Sequence, residues 1–182
     1  MMIPRRIQSC CRVSPLARAV MAVLVATACR DPVRENALAA LGPEAAGVPA
    51  GPLHRPGQPC TRCHGDDGPA KSAFSLAGTV FLTSADRRPA AGVLVRFIDA
   101  DGSQSSATTN CAGNFYVDPA QYAPRYPVWL RLQLGDITTE MVTPIYRDSS
   151  CAGCHHDPAG PAAVSHVYLA QSGLEQADGG CP

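Results

Sequence analysis

From Ser75 to Thr143 apolar and polar residues alternate with a period of two, the pattern of strands with one buried face. Ser75–Thr83 places Leu76, Gly78, Val80 and Leu82 on one face, and Gly92–Asp99 does the same with Val93, Val95 and Phe97. Pro127–Leu134 sets Val128, Leu130, Leu132 and Leu134 against Trp129, Arg131 and Gln133. Short strands are predicted at Gln104–Thr108 and Asn114–Val117, and Ile137–Thr143 returns as the partner of the strand before it. Turn signals separate them: Asp101-Gly102, Asn110–Gly113 and Gly135-Asp136. A last strand is predicted at Ala163–Leu169. Closely spaced short strands predict a mainly β fold, a small antiparallel sandwich. Six strands in this stretch, if mostly up and down, return the chain to the end where it entered.

The flanks read differently. Arg5, Arg6, Arg12 and Arg18 precede a short apolar run, Ala19–Ala28, too short to span a bilayer. This is a signal peptide over 1–28. It ends in Ala26-Thr27-Ala28-Cys29, which resembles a bacterial lipoprotein signal with Cys29 as the lipidated residue. Ordinary cleavage after Ala28 is the alternative. Residues 29–59 carry Pro32, Pro43, Pro49, Pro52, Pro56 and Pro59 and read as a disordered, semi-stiff tether. One helical turn is expected within it at Arg34–Leu41, ended by Gly42 and Pro43. The remaining boundaries are a loop at 60–74, the sandwich at 75–145, and a segment at 146–182 holding a second loop, the final strand and a tail.

Those two loops carry the chemistry. Cys60-Thr-Arg-Cys63-His64 and Cys151-Ala-Gly-Cys154-His155 are both C-x-x-C-H, the attachment signal of a c-type haem. Two thiols at this spacing reach the two vinyl groups of one porphyrin. The His that follows is then held beneath the iron as the proximal ligand. Two covalent haems c are expected, on Cys60, Cys63 and His64 and on Cys151, Cys154 and His155. The competing reading is an all-thiolate zinc site, but the two pairs lie much further apart than in a zinc ribbon, and zinc gives no reason for the two His residues.

Only five His occur, and His54, His156 and His166 remain for the distal positions. His54 lies in a Pro-rich loop six residues before Cys60; His166 follows the second motif; His156 abuts a proximal ligand and resembles the CxxCHH variant of multihaem cytochromes. Met141 is the one Met beyond Cys29, and on an alternating strand it reads first as core. Of nine Cys, two leave with the signal peptide, one takes lipid and four take haem. Cys111 and Cys181 remain, either as a disulfide in an oxidising compartment or as two free thiols.

Composition narrows the partners. Formal net charge is +0, but loss of the four Arg before Cys29 leaves eleven Lys plus Arg against fifteen Asp plus Glu, a net of −4. This excludes nucleic acid and suits a redox protein with a basic docking face. No G-x-S-x-G, H-E-x-x-H or phosphate loop is present, so an electron carrier is expected rather than an enzyme.

Leu76-Ala-Gly-Thr-Val-Phe81, Pro89-Ala-Ala-Gly-Val93, the strand Leu94–Ile98, the turn Asp99–Gly102 and Thr108-Thr-Asn-Cys-Ala-Gly-Asn-Phe-Tyr-Val117 together resemble the carboxypeptidase regulatory-like, transthyretin-like sandwich family. Cys111 departs from the family pattern. The resemblance implies an Ig/transthyretin-like sandwich and no activity of its own. The expectation is therefore an exported dihaem cytochrome, lipid-anchored in the periplasm or at the outer membrane of a Gram-negative bacterium. The rival is a non-redox surface module whose CxxC pairs bind zinc or form disulfides.

Overall fold

The computed structural model describes residues 14, 31–44, 48, 50–161 and 163–170. The signal peptide apart from Ser14, and Cys29 and Cys181, lie outside them. The chain divides into two units, Met1–Ala40 and Leu41–Pro182. In the first, helix α1 spans Pro32–Ala39. Asp31 caps it, accepting from the N–H groups of Val33 and Arg34, and Pro32 occupies the first turn, where its missing N–H costs nothing. The helix thus starts two residues before the expected turn, because the cap and the proline set its beginning.

The second unit is the sandwich. Its seven strands are β1 (Leu76–Thr83), β2 (Leu94–Ile98), β3 (Gln104–Thr108), β4 (Asn114–Val117), β5 (Trp129–Leu134), β6 (Ile137–Glu140) and β7 (Val167–Ala170). One sheet has the order β4-β1-β7 and the other β3-β2-β5-β6. The fold is mainly β, as the alternation predicts. The final strand is shorter than Ala163–Leu169, since residues 163 and 164 make only isolated bridges. It also pairs parallel to β1, whereas every other strand pair is antiparallel.

Phe97, Phe115, Leu76, Leu169, Val80, Val93, Val95 and Val128 fill the space between the sheets. Burying each such side chain is worth about 1.5–3 kcal/mol. The hydroxyl of Thr139 on β6 donates to the carbonyl of Leu169 on β7, tying one sheet to the other. The β2–β3 turn is held by Asp99, whose carboxylate accepts from the N–H groups of Asp101, Ser103 and Arg125. Burial pushes this carboxyl up; the N–H groups of Arg125, Ser103 and Asp101 outweigh it and leave it below its usual range.

Strand β1 departs from simple alternation: both of its faces are covered. Leu76 and Val80 point into the sandwich. Ala77, Thr79, Phe81 and Thr83 on the opposite face are buried too. The cover is the chain flanking the two C-x-x-C-H motifs. Gly57 donates to Oγ1 of Thr79 at 2.7 Å, Ala77 donates to the carbonyl of Ser149 at 2.9 Å, and Phe81 packs on His166 with centroids 4.9 Å apart. The end of the tether is therefore not free. Nδ2 of Asn114 donates to the carbonyls of Pro52 and His54, fixing residues 52–57 against the sheet well before Pro59.

Candidate functional site

Both motifs wind in the same way. At the first, helix α2 (Thr61–His64) makes one turn, and the Cys60 carbonyl accepts from Cys63 N–H at 3.1 Å and His64 N–H at 2.9 Å. At the second, a 3₁₀ turn spans Cys151–Gly153, and the Cys151 carbonyl accepts from Cys154 N–H at 3.1 Å and His155 N–H at 2.7 Å. Residues three and four apart on a helical turn share a face, so the two Cys and the His of each motif start from one side of the turn. The turns need their glycines. A Cβ at Gly68 would lie 1.7 Å from the Cys63 carbonyl oxygen, and one at Gly153 would lie 1.9 Å from Asp148 Oδ2. A Cβ at Gly65 would likewise lie 2.6 Å from the Thr61 carbonyl oxygen, so glycine closes this turn.

The two motif His rings share a second feature. Nδ1 of His64 lies 2.9 Å from the Ser72 carbonyl oxygen, and Nδ1 of His155 lies 3.1 Å from that of Ser165. A carbonyl only accepts, so each Nδ1 carries the proton, and in the neutral ring Nε2 keeps its lone pair. This is the arrangement that orients a metal-ligating imidazole.

The remaining candidates are placed otherwise. Nδ1 of His54 accepts from Gly51 N–H at 3.1 Å, which leaves the proton of the neutral ring on Nε2. Nε2 of His166 faces Asp157 Oδ2 at 3.7 Å, and that carboxylate also pairs with Arg87 at 2.6 Å. His156 is half-buried, with its backbone N–H bonded to the Val164 carbonyl at 2.9 Å. Met141 packs against the core.

The first motif opens into a cleft of about 720 Å³, within the usual range for ligand sites. Cys60, Cys63, His64, His54 and Phe74 all line it, with Arg55 at its wall. The His54 and His64 centroids are 5.8 Å apart. On its other side His64 stacks on Phe74 at 4.2 Å, and Phe74 stacks on Tyr116 at 4.7 Å. Arg55 is held in the left-handed region, at φ 51°, and its guanidinium bonds the carbonyls of Leu41 and Gly42 and the side chain of Gln58.

The second motif is less open. Cys154 is exposed, but the Cys151 thiol packs against the core beside Gly78. Burial pushes it up to about 12, with Cys60 and Asp148 adding to the effect. Cys60 is raised to about 11, chiefly by burial. The flanks of both motifs bond to β1, Gly57 to Oγ1 of Thr79 and Ala77 to the carbonyl of Ser149. Cys111 is disulfide-bonded; Cys181, its expected partner, lies outside the described residues.

Haem fits the first site: a free Nε2, two thiols on the same turn and a largely apolar cleft with an Arg at its wall. At the second site the imidazole fits equally, while the Cys151 thiol has to turn out of the core. Among the described residues, no three His, Cys, Asp or Glu side chains are grouped closely enough to hold a metal ion. That arrangement has no bearing on haem, whose iron asks one imidazole of each motif. The two carbonyls that set the His tautomers, from Ser72 and Ser165, have no sequence signal because they are backbone groups. Gly78 did have one: a glycine inside a strand marks the close approach of another group.

No protein-family model matches this chain, and no curated protein or solved structure matches it either.

Proposed function

We propose that this chain is an exported dihaem c-type cytochrome that passes single electrons, anchored to a bacterial membrane through a lipid on Cys29. One observation carries the reading: two C-x-x-C-H turns of the same winding, each with its His Nδ1 tied to a backbone carbonyl. Bound haem supplies reversible one-electron chemistry at iron. The chain supplies the rest. Cys60, Cys63, Cys151 and Cys154 attach the groups. His64 and His155 offer Nε2 as proximal ligands, in rings turned by Ser72 and Ser165. Phe74 and the prolines around the first cleft exclude water there. The disulfide at Cys111 suits the oxidising compartment that export implies. The sandwich, which resembles the carboxypeptidase regulatory-like family, serves as the frame that brings the two motifs to the start of β1.

The test is a pyridine haemochrome assay on protein exported in a host with cytochrome c maturation. Two covalent haems per chain are expected, with one lost in Cys63→Ala and one in Cys154→Ala. Soluble, full-length protein without covalent haem sinks the proposal.

A further inference from the structure

The outer face of the β3-β2-β5-β6 sheet lies on the part of the sandwich that the motif loops do not cover. Strands there usually show polar, mixed-charge side chains to water. This face does not. Its middle row places Arg96 on β2 directly opposite Arg131 on β5. Like charges directly opposite each other destabilise a sheet. Arg131 is partly neutralised by Glu140 on β6, with which it forms an ion pair. Among the described residues, Arg96 makes no ion pair. In the next row Ile98 lies opposite Trp129, and both are exposed, at 43% and 46%. These residues line a groove of about 600 Å³ together with Ser106.

We propose that this groove binds a uronate-bearing saccharide. Each part of the ligand meets a matching group. The guanidinium of Arg96 presents paired N–H donors, which suit a carboxylate bidentately. The indole of Trp129 offers a flat apolar face to the C–H face of a pyranose ring. Ser106 and Glu140 stand where ring hydroxyls donate and accept. The groove holds one uncompensated cation and a volume in the small-ligand range, which fits a short acidic sugar better than the acidic face of a protein. Binding moves no electrons and breaks no bond. The proposal does not depend on haem: it concerns the sheet facing away from both motifs, and would give an electron carrier a hold on an acidic surface polymer.

The test uses the full chain and trigalacturonate as the probe, followed by calorimetry and by the indole N–H resonance of Trp129, the chain's one tryptophan. Saturable binding that moves this resonance is expected. Arg96→Gln is expected to weaken it about tenfold, the loss of a charge-assisted hydrogen bond, and Trp129→Ala comparably. Arg96 is exposed, so its variant keeps the fold and remains a fair test if Trp129→Ala does not. A neutral cello-oligosaccharide of equal length is expected not to bind. No saturation with millimolar trigalacturonate overturns the proposal, as does binding that Arg96→Gln leaves unchanged. Tighter binding of polyglutamate, independent of Trp129, also overturns it and identifies the face as a docking site for acidic polypeptide.

Discussion

Gly78→Ala tests how the sandwich and the second motif are joined. An added methyl carbon would sit 2.6 Å from Cys151 Sγ and 3.1 Å from Phe115 Cε1. Neither neighbour is a loose surface group: Phe115 is 2% exposed, and Cys151 packs on the core. Overpacking of this kind costs about 1–3 kcal/mol. Gly→Ala also restricts the unfolded chain, which returns about 0.4–1 kcal/mol because position 78 is not in a left-handed conformation. The net is a loss of about 1–2 kcal/mol, or roughly 5–10 °C in Tm for a domain near 100 residues. The assay is thermal unfolding of the haem-free chain, alone and in a double-mutant cycle with Cys151→Ala. Removing the thiol is expected to recover most of the loss, giving a coupling on the order of 1 kcal/mol. Maleimide labelling of Cys151 should accelerate in Gly78→Ala as the thiol is driven outward. An unchanged or raised Tm, or a loss that Cys151→Ala leaves intact, would refute the placement of this thiol against β1.

Three further outcomes follow from the same geometry. Cys60 and Cys151 are raised from 9.0 to about 11 and about 12, so the folded chain holds thiol protons that the unfolded chain releases. Their stabilising contribution is complete below pH 9 and is lost as pH rises through 11 and 12; a fall on the order of 2 kcal/mol between pH 9 and 10.5 is expected in urea titrations, and a smaller one in Cys151→Ala. Asn114→Ala removes the acceptor of a buried Thr79 hydroxyl and both donors to Pro52 and His54, so a loss of about 1–3 kcal/mol and faster hydrogen exchange at residues 53–58 are expected. In the haem-loaded chain, His54→Ala is expected to leave the optical bands in place, because Gly51 holds this ring in the tautomer with Nε2 protonated; a shifted or high-spin spectrum would make His54 a distal ligand.

How far the sequence could be read depended on which interactions repeat along the chain. The strand positions follow from period two, and six of the seven begin within two residues of their predicted starts. The motif cysteines and histidines stand at fixed spacing and are equally plain. What alternation could not reveal is that β1 buries both faces, since its outer residues, Ala77, Thr79 and Phe81, include small and polar ones that read as solvent-facing. Their cover comes from Gly57 and Ser149, about 20 residues before and 70 after, through single hydrogen bonds with no pattern of their own. The same holds for the histidines. Five rings look alike in the sequence, and backbone partners distinguish them: carbonyls at Ser72 and Ser165 free Nε2 of His64 and His155, whereas the N–H of Gly51 does the reverse at His54.

Strand β1 therefore links fold to chemistry. One face closes the sandwich core and also meets the Cys151 thiol, and the other carries the approach to the first motif. Gly57 and Thr79 fix the approach to Cys60, while Ala77 and Gly78 fix the approach to Cys151. Both cysteine pairs are in this way held by contacts to one strand. The opposite sheet, with Arg96 and Trp129 on its outer face, is separated from these contacts by the core. On this arrangement, substitutions at Arg96 or Trp129 are expected to leave unchanged how the two cysteine pairs are held.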